Sequence, residues 1–357
     1  MNIKSLLLGS AAALVAVSGA RAADAVVIAE PEPMEYVRIC DTYGTDFYYI
    51  PGTETCLKVG GYLRYDIAGG EFFEMTSRTG DETYFKRARA QLRLDARSET
   101  ELGTLRSYAA INFNYDTGGA GATFDANDNL GIDHAYIELG GFRIGKTDSL
   151  FSTFTDYSSG VLTDGIVGYG PFATNQIAYT WTGGNGFSAA IALEEGDENE
   201  SAIIDSYMPH VAGGVSYTQG WGKVGVVAGY DSNLEELAIK GRLDVNATEQ
   251  LSLFIMAGYS TNDADGGLND GVFRRDAYAT WGGDFAVWGG GAYKLNDKAT
   301  INGEIGYDDN ENFSVAANVA YELVPGLTIT PEVVYADNFD IDDSDAFGAR
   351  IRFQRNF

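Results

Sequence analysis

The chain is 357 residues long with a formal net charge of −27, and it holds 45 Gly, 22 Tyr and 19 Phe against only 7 Pro and 2 Cys. So large a negative charge disfavours nucleic acid as a partner, and two cysteines with isolated histidines match no zinc-site spacing. Abundant glycine and aromatic residues with few prolines suit many β-strands joined by tight turns.

At the N-terminus, MNIKSLLLGSAAALVAVSGARA reads as a secretory signal peptide over residues 1–22. Lys4 is its basic region, Leu6 to Val17 its apolar run, and Ala20-Arg21-Ala22 its cleavage site. That run is too short to span a bilayer as a helix, and no later segment offers about 18 uninterrupted apolar residues. Removal takes away Lys4 and Arg21 and no acid, so −27 becomes −29. The chain is expected to be exported through a bacterial inner membrane. Cys40 and Cys56 lie 16 positions apart. Outside a reducing cytosol a disulfide is expected, contributing about 3 kcal/mol in the chain-entropy picture, with two free thiols as the alternative.

From residue 57 onward, apolar and polar residues alternate with period 2. In LKVGGYLRYDI, Leu57, Val59, Leu63, Tyr65 and Ile67 share one face and Lys58, Tyr62, Arg64 and Asp66 the other. In YFKRARAQLRLDAR, Ala88, Ala90, Leu92 and Leu94 alternate with Arg87, Arg89, Gln91, Arg93 and Asp95. The same alternation recurs in NFSVAANVAYEL and LTITPEVVYA, and none of these stretches shows helical spacing. The pattern predicts about sixteen strands, near 57–67, 84–97, 103–114, 131–139, 141–147, 175–182, 187–194, 210–217, 222–230, 236–246, 250–259, 284–294, 299–306, 312–322, 327–336 and 346–357. Pro331 cannot donate to a ladder and is expected at a bulge or strand end.

The connections alternate between short turns and mostly longer loops, the largest near 68–83, 115–130, 148–174, 195–209 and 260–283. This one-sidedness predicts an all-β fold, a transmembrane antiparallel β-barrel with short periplasmic turns and long external loops in the bacterial outer membrane. Its apolar face would meet lipid, and its polar face would line a lumen too wide for side chains to fill. The closing strand AFGARIRFQRNF ends on Phe357, which is expected to act as an assembly signal. Arg355 interrupts its apolar register.

The segment PEPMEYVRICDTYGTDFYYIPGTETCLKVGGYLRYD resembles the start of the alphaproteobacterial general porins, the type found in rhizobia and Brucella. So do RARAQLRLDARSETELGTLR, AYIELGGFRIGKTDS and the terminal FQRNF. The resemblance covers residues 23–357. It implies a homotrimeric, sixteen-stranded porin that passes small hydrophilic solutes and ions, with its third long loop folded into the pore. Outer-membrane lipids, lipopolysaccharide among them, would surround it.

The organisation expected is a signal peptide at 1–22, a segment at 23–56 of periplasmic or pore-associated placement, and a barrel at 57–357. The inward loop near 147–174 carries Asp148, Asp156 and Asp164 and no base. Its Phe151, Phe154 and Tyr157 would let it pack inside the barrel. Period 2 places Lys58, Arg64, Arg87, Arg89, Arg93, Arg106 and Arg143 on lumenal faces. Arg350 and Arg352 join them because closure sets the last strand beside the first. A basic wall facing an acidic loop sets up a transverse field, although some of these bases could instead neutralise lumenal acids such as Asp66 and Asp95. The acidic stretches 194–209 and 337–345 read as solvated external surface, with divalent-cation bridging to lipid head groups as the alternative. DADGGLND lacks a calcium-loop pattern, and no metal or cofactor is expected. His134 and His210 sit in no nucleophile motif, so catalysis is not expected. The competing function is a surface-binding or structural barrel with an occluded lumen.

Overall fold

The computed structural model describes residues 38–76, 81–117, 126–196, 202–262, 267–269, 272–274 and 276–357. The predicted signal peptide, the acids Asp197, Glu198 and Glu200, and most of DADGGLND lie outside them.

Sixteen strands form the barrel: β1 (Cys56–Gly69), β2 (Phe85–Thr100), β3 (Gly103–Thr117), β4 (Ala126–Leu139), β5 (Phe142–Asp148), β6 (Ala173–Thr182), β7 (Phe187–Glu194) and β8 (His210–Gln219), then β9 (Gly222–Asp231), β10 (Glu236–Asn246), β11 (Leu251–Ser260), β12 (Phe285–Asn296), β13 (Ala299–Asp308), β14 (Asn312–Val324), β15 (Leu327–Asn338) and β16 (Ala346–Asn356). Each pairs antiparallel with its chain neighbour, and β16 pairs back onto β1 from Tyr62↔Asn356 to Gly69↔Ala349, which closes the sheet. Closure gives every barrel strand a paired neighbour on both sides, as backbone in a bilayer requires.

Every predicted strand is present. β4 begins at Ala126 rather than near 131, because its register with β3 runs on to Thr117↔Ala126 through polar residues that alternation does not flag. Pro331 marks neither a bulge nor a strand end. It sits within β15 opposite Ile351, and the β14–β15 ladder skips the pairs between Asn318↔Glu332 and Tyr321↔Ile329, where a donor is missing.

The two faces follow the alternation. Val224, Val226, Ile239, Ile255, Val287 and Ile305 are exposed outward, while their neighbours Val227, Lys240, Met256, Trp288 and Glu304 are buried. At the short-turn rim the outward band carries Phe142, Tyr179, Trp181, Phe187, Tyr217 and Trp221. Near the long-loop rim it carries Tyr65, Tyr115, Tyr259, Phe285 and Phe347. Two such aromatic girdles match the head-group levels of a bilayer.

The seam ends on the last residue. The Phe357 amide donates to the Gly61 carbonyl at 3.1 Å, and the Gly61 amide donates to the Phe357 carbonyl at 2.9 Å. Gly61 has φ +155°, and a side chain there would meet the Gln91 carbonyl oxygen at 1.9 Å, so the closing contact requires glycine.

Cys40 and Cys56 are joined. Tyr48 and Tyr49 pair with Leu57 and Cys56, and Phe47 is buried beside the disulfide. The resulting lobe touches the start of the barrel through Lys58, whose Nζ lies 3.2 Å from Asp46, and through Arg97, whose guanidinium stacks over Phe47 at 5.1 Å.

Candidate functional site

The segment between β5 and β6 runs along the inner face of the strands from β8 to β16. It begins with α1 (Leu150–Thr153), whose N-cap Ser149 accepts from the Phe151 amide at 3.1 Å. Glu194 receives the Ser149 hydroxyl and the Leu150 amide, both at 2.7 Å. Beyond α1, strands β9, β10 and β12 to β15 contribute polar tethers. Lys223 donates to the Phe154 carbonyl at 2.9 Å, and Arg242 to the carbonyls of Tyr157 and Ser158 at 2.7 and 2.8 Å. Lys240 donates to the Tyr169 carbonyl at 2.5 Å and Trp288 to that of Val167 at 3.0 Å. Glu304 accepts from Ser158 at 2.7 Å, Asn318 donates to the Gly160 carbonyl at 3.0 Å, and Glu332 accepts from Thr163 at 2.7 Å. Phe151 is fully buried and its ring lies 5.2 Å from that of Tyr278. Tyr157, by contrast, stays 45% exposed.

The opposite wall, β1 to β5 with β16, carries the predicted cations on the same inner face. Register links Asp66 to Arg87 and Arg352, Arg64 to Arg89, and Arg97 through Arg106 to Glu138 and Arg143. Most of these cations are held by acids of the wall itself. Arg87 makes a two-pronged bond to Asp116 at 2.7 and 2.8 Å. Arg352 and Arg64 lie 2.7 and 3.3 Å from Asp66. Arg106 reaches Asp95 at 2.9 Å and Glu138 at 2.8 Å, and Arg143 shares Glu138 at 2.7 Å. Among the described residues, Arg89 and Arg93 have only the amide oxygens of Asn114 and Gln91, each at 2.5 Å. Arg350 donates to the Leu162 carbonyl at 3.3 Å, the one predicted wall base bonded to the inward loop among the described residues, and Lys58 turns to the disulfide lobe.

The three loop acids do not form one array. Asp148 accepts from the Tyr157 hydroxyl, Asp156 pairs with Lys223 at 2.8 Å, and Asp164 accepts from the Tyr169 hydroxyl at 2.8 Å. Burial raises the Asp164 carboxyl above the usual range, and the Glu332 charge adds to this against the hydrogen bond from Tyr169. The Tyr157 phenol, half-buried against the loop, is raised too, by that partial burial and by its bond to Asp148.

Glu194, expected on a solvated external stretch, is instead only 3% exposed beneath α1, because the loop needs a buried acceptor for its free N-terminal donors. A second inward segment was not foreseen. Residues 276–281 enter from the β11–β12 connection. Asp276 caps them by accepting from the Tyr278 and Ala279 amides at 2.8 and 3.0 Å. The Tyr278 ring lies on Gly229 and the Trp281 ring on Gly258, at places where a side chain on either glycine would come within 2.4 and 2.7 Å. Thr280 accepts from the Gly170 amide at 2.8 Å, which ties this segment to the first. The only forewarning in the sequence was the aromatic pair in AYATWGG within an otherwise polar loop. Lys240 and Arg242 were legible as inward positions of ELAIKGRLDVN, but not as loop tethers. His210 is fully buried, with ring nitrogens near the Ala202 carbonyl at 2.9 Å and the Ser232 amide at 3.0 Å, and His134 lies 3.0 Å from the Thr147 hydroxyl.

A closed sixteen-stranded antiparallel barrel, apolar outside, charged inside and entered by a loop, is the architecture of a porin. The chain belongs to the porin subfamily, whose family profile matches residues 24–354. It is 47% identical to Porin Omp2b of Brucella suis biovar 1 and of Brucella melitensis biotype 1, over 100% of both chains in each case. Among solved structures it resembles in fold the outer membrane channel DcaP of Acinetobacter baumannii, with TM-score 0.65 and 17% identity over 87% of this chain and 99% of that one. It also resembles an anion-selective porin from Comamonas acidovorans, with TM-score 0.58 and 14% identity over 85% and 100%. The protein is thus a multi-pass outer-membrane porin.

Proposed function

We propose that the protein is a passive diffusion channel for small hydrophilic solutes and ions, narrowed by the loop at 147–174 and lined on the other side by the arginine wall. The observation that carries this reading is the asymmetry of the interior. Both inward segments pack on the β8–β16 side, while Arg93 on β2 remains exposed. A water-filled strip along β1–β5 would leave wall charges to act on solutes through a transverse field. The acids of the loop, Asp148, Asp156 and Asp164, border that strip, and most of the wall arginines face it in local pairs with acids that hold them in place.

In this reading residues 1–22 are a signal peptide removed on export, the disulfide lobe stands at the periplasmic rim, and the barrel functions as a homotrimer among outer-membrane lipids and lipopolysaccharide. The occluded-barrel alternative draws on the second inward segment at 276–281, which fills part of the interior. Liposome swelling separates the two. Vesicles holding the folded protein should swell in small sugars and amino acids, at rates falling steeply with solute size. Swelling no faster than in protein-free vesicles would favour the occluded barrel.

A further inference from the structure

The wall arginines fall into two kinds. Arg87, Arg97, Arg106, Arg143 and Arg352 are each held by a carboxylate within 2.9 Å. Arg64, Arg89 and Arg93 are not so held, and Arg350 on β16 has only the Leu162 carbonyl as acceptor among the described residues. Among the described residues Arg89 and Arg93 meet only neutral amide oxygens. Arg64 lies 3.3 Å from Asp66, which Arg352 already engages at 2.7 Å, and its Nε is buried without a hydrogen-bond partner among the described residues. These three are neighbours. Arg64 and Arg89 are direct register partners, and the guanidinium groups of Arg64 and Arg93 both lie over the ring of Tyr62, at 5.3 and 5.5 Å.

Three fixed guanidinium groups sharing part of one carboxylate repel one another. Arginine cannot relieve this by losing its proton. The chain provides stacking on Tyr62 and amide acceptors to hold the side chains in place, but among the described residues no further carboxylate pairs with them; the nearby Asp133 accepts from the Gln91 amide at 2.8 Å. Neutral acceptors orient a guanidinium without cancelling its charge, so the forks of Arg89 and Arg93 stay electrostatically unsatisfied. Planar forks of this kind match the paired oxygens of phosphates and carboxylates.

We infer that Arg64, Arg89 and Arg93, arranged around Tyr62, form an oxyanion-binding subsite in the channel, where a passing solute docks its phosphate or carboxylate group. This deepens the channel reading and rests on it. The paired arginines are structural members of the wall. The three underpaired ones select a class of cargo, in a chain whose overall acidity would otherwise turn anions away.

The test is block of single-channel chloride current by inorganic phosphate and, separately, by succinate, added at constant ionic strength. Wild type should show saturable block by one or both, and comparison of the two assigns the subsite to phosphates, carboxylates or either. Arg89→Gln and Arg93→Gln should each raise the half-blocking concentration about tenfold, the scale of one charge-assisted hydrogen bond. Arg89→Lys keeps the charge but loses the fork, and should also weaken block. Lys294→Gln removes one charge at the short-turn rim, where Asp297 pairs with it at 2.9 Å, and should leave block unchanged. Block as strong in Arg89→Lys as in wild type would reduce the site to a diffuse field and overturn the inference. Conducting wild-type channels without saturable block would overturn it while leaving the channel reading intact. Folded protein that does not conduct would overturn both.

Discussion

Gly229 shows how a single residue sets the interior of this barrel. Its missing side chain lets the Tyr278 ring lie flat on β9, and an added Cβ would fall 2.4 Å from Cγ of that ring. Gly229→Ala should therefore expel residues 276–281, at a cost of about 1–3 kcal/mol for overpacking. Hydrogen exchange should report lost protection over 276–281 with the β8–β10 strands unchanged, and unaltered protection of 276–281 would contradict the packing described. Asp276 offers a second handle. Burial raises its carboxyl, and the nearby Asp231 charge adds to this against bonds from the Tyr278 and Ala279 amides and Ser260. A raised folded-state value means that the stabilising contribution is complete below the ordinary aspartate range and is lost as pH rises through the folded value. Asp164 behaves in the same direction. Protection of 276–281, corrected for intrinsic exchange rates, should be higher at pH 4 than at pH 7, and Asp276→Asn should flatten that dependence. Protection that grows with pH would be the wrong sign. Neither residue's role was legible beforehand, because both depend on which glycines face inward across the barrel.

At the scale of elements, the strands were legible and the inward segments less so, for one physical reason. A strand between lipid and water must alternate, so each of the sixteen wrote its position into the sequence with period 2. The same period named Arg64, Arg87 and Arg89 as one face, and it located the loop bearing Asp148, Asp156 and Asp164 by elimination of strands. What a loop packs against leaves no periodic trace. Glu194 looked like one acid in an acidic stretch, yet it anchors α1 through Ser149 and Leu150. Glu194→Ala would leave that hydroxyl and amide without their buried acceptor, a loss of about 1–3 kcal/mol. The expected result is a barrel that still folds but whose open current fluctuates more, as the root of the loop loosens. Current noise equal to wild type would show that the other tethers suffice.

As a whole, the molecule is an acidic protein that carries a locally basic wall. Replacing Arg87, Arg89 and Arg93 together with Gln should leave the barrel folded, since these side chains face its interior. Turning the same residues outward would have placed three charges in hydrocarbon at roughly 2–4 kcal/mol each near the midplane. The triple variant should shift ion preference toward cations, more than Arg89 and Arg93 alone would, because losing Arg87 also bares the Asp116 carboxylate it now holds at 2.7 Å. Reversal potentials at about 0.1 M salt, where screening acts over about 10 Å, would read the shift. An unchanged cation-to-anion ratio in the folded variant would remove the wall from the selectivity mechanism.

Diffusion through the barrel requires the strip between the arginine wall and the inward loop to be open to water. Single-channel recording of the purified, folded protein in a planar bilayer tests it most directly. An open strip gives discrete, long-lived conductance steps that scale with salt concentration. Correctly folded barrels that insert without producing steps would contradict it.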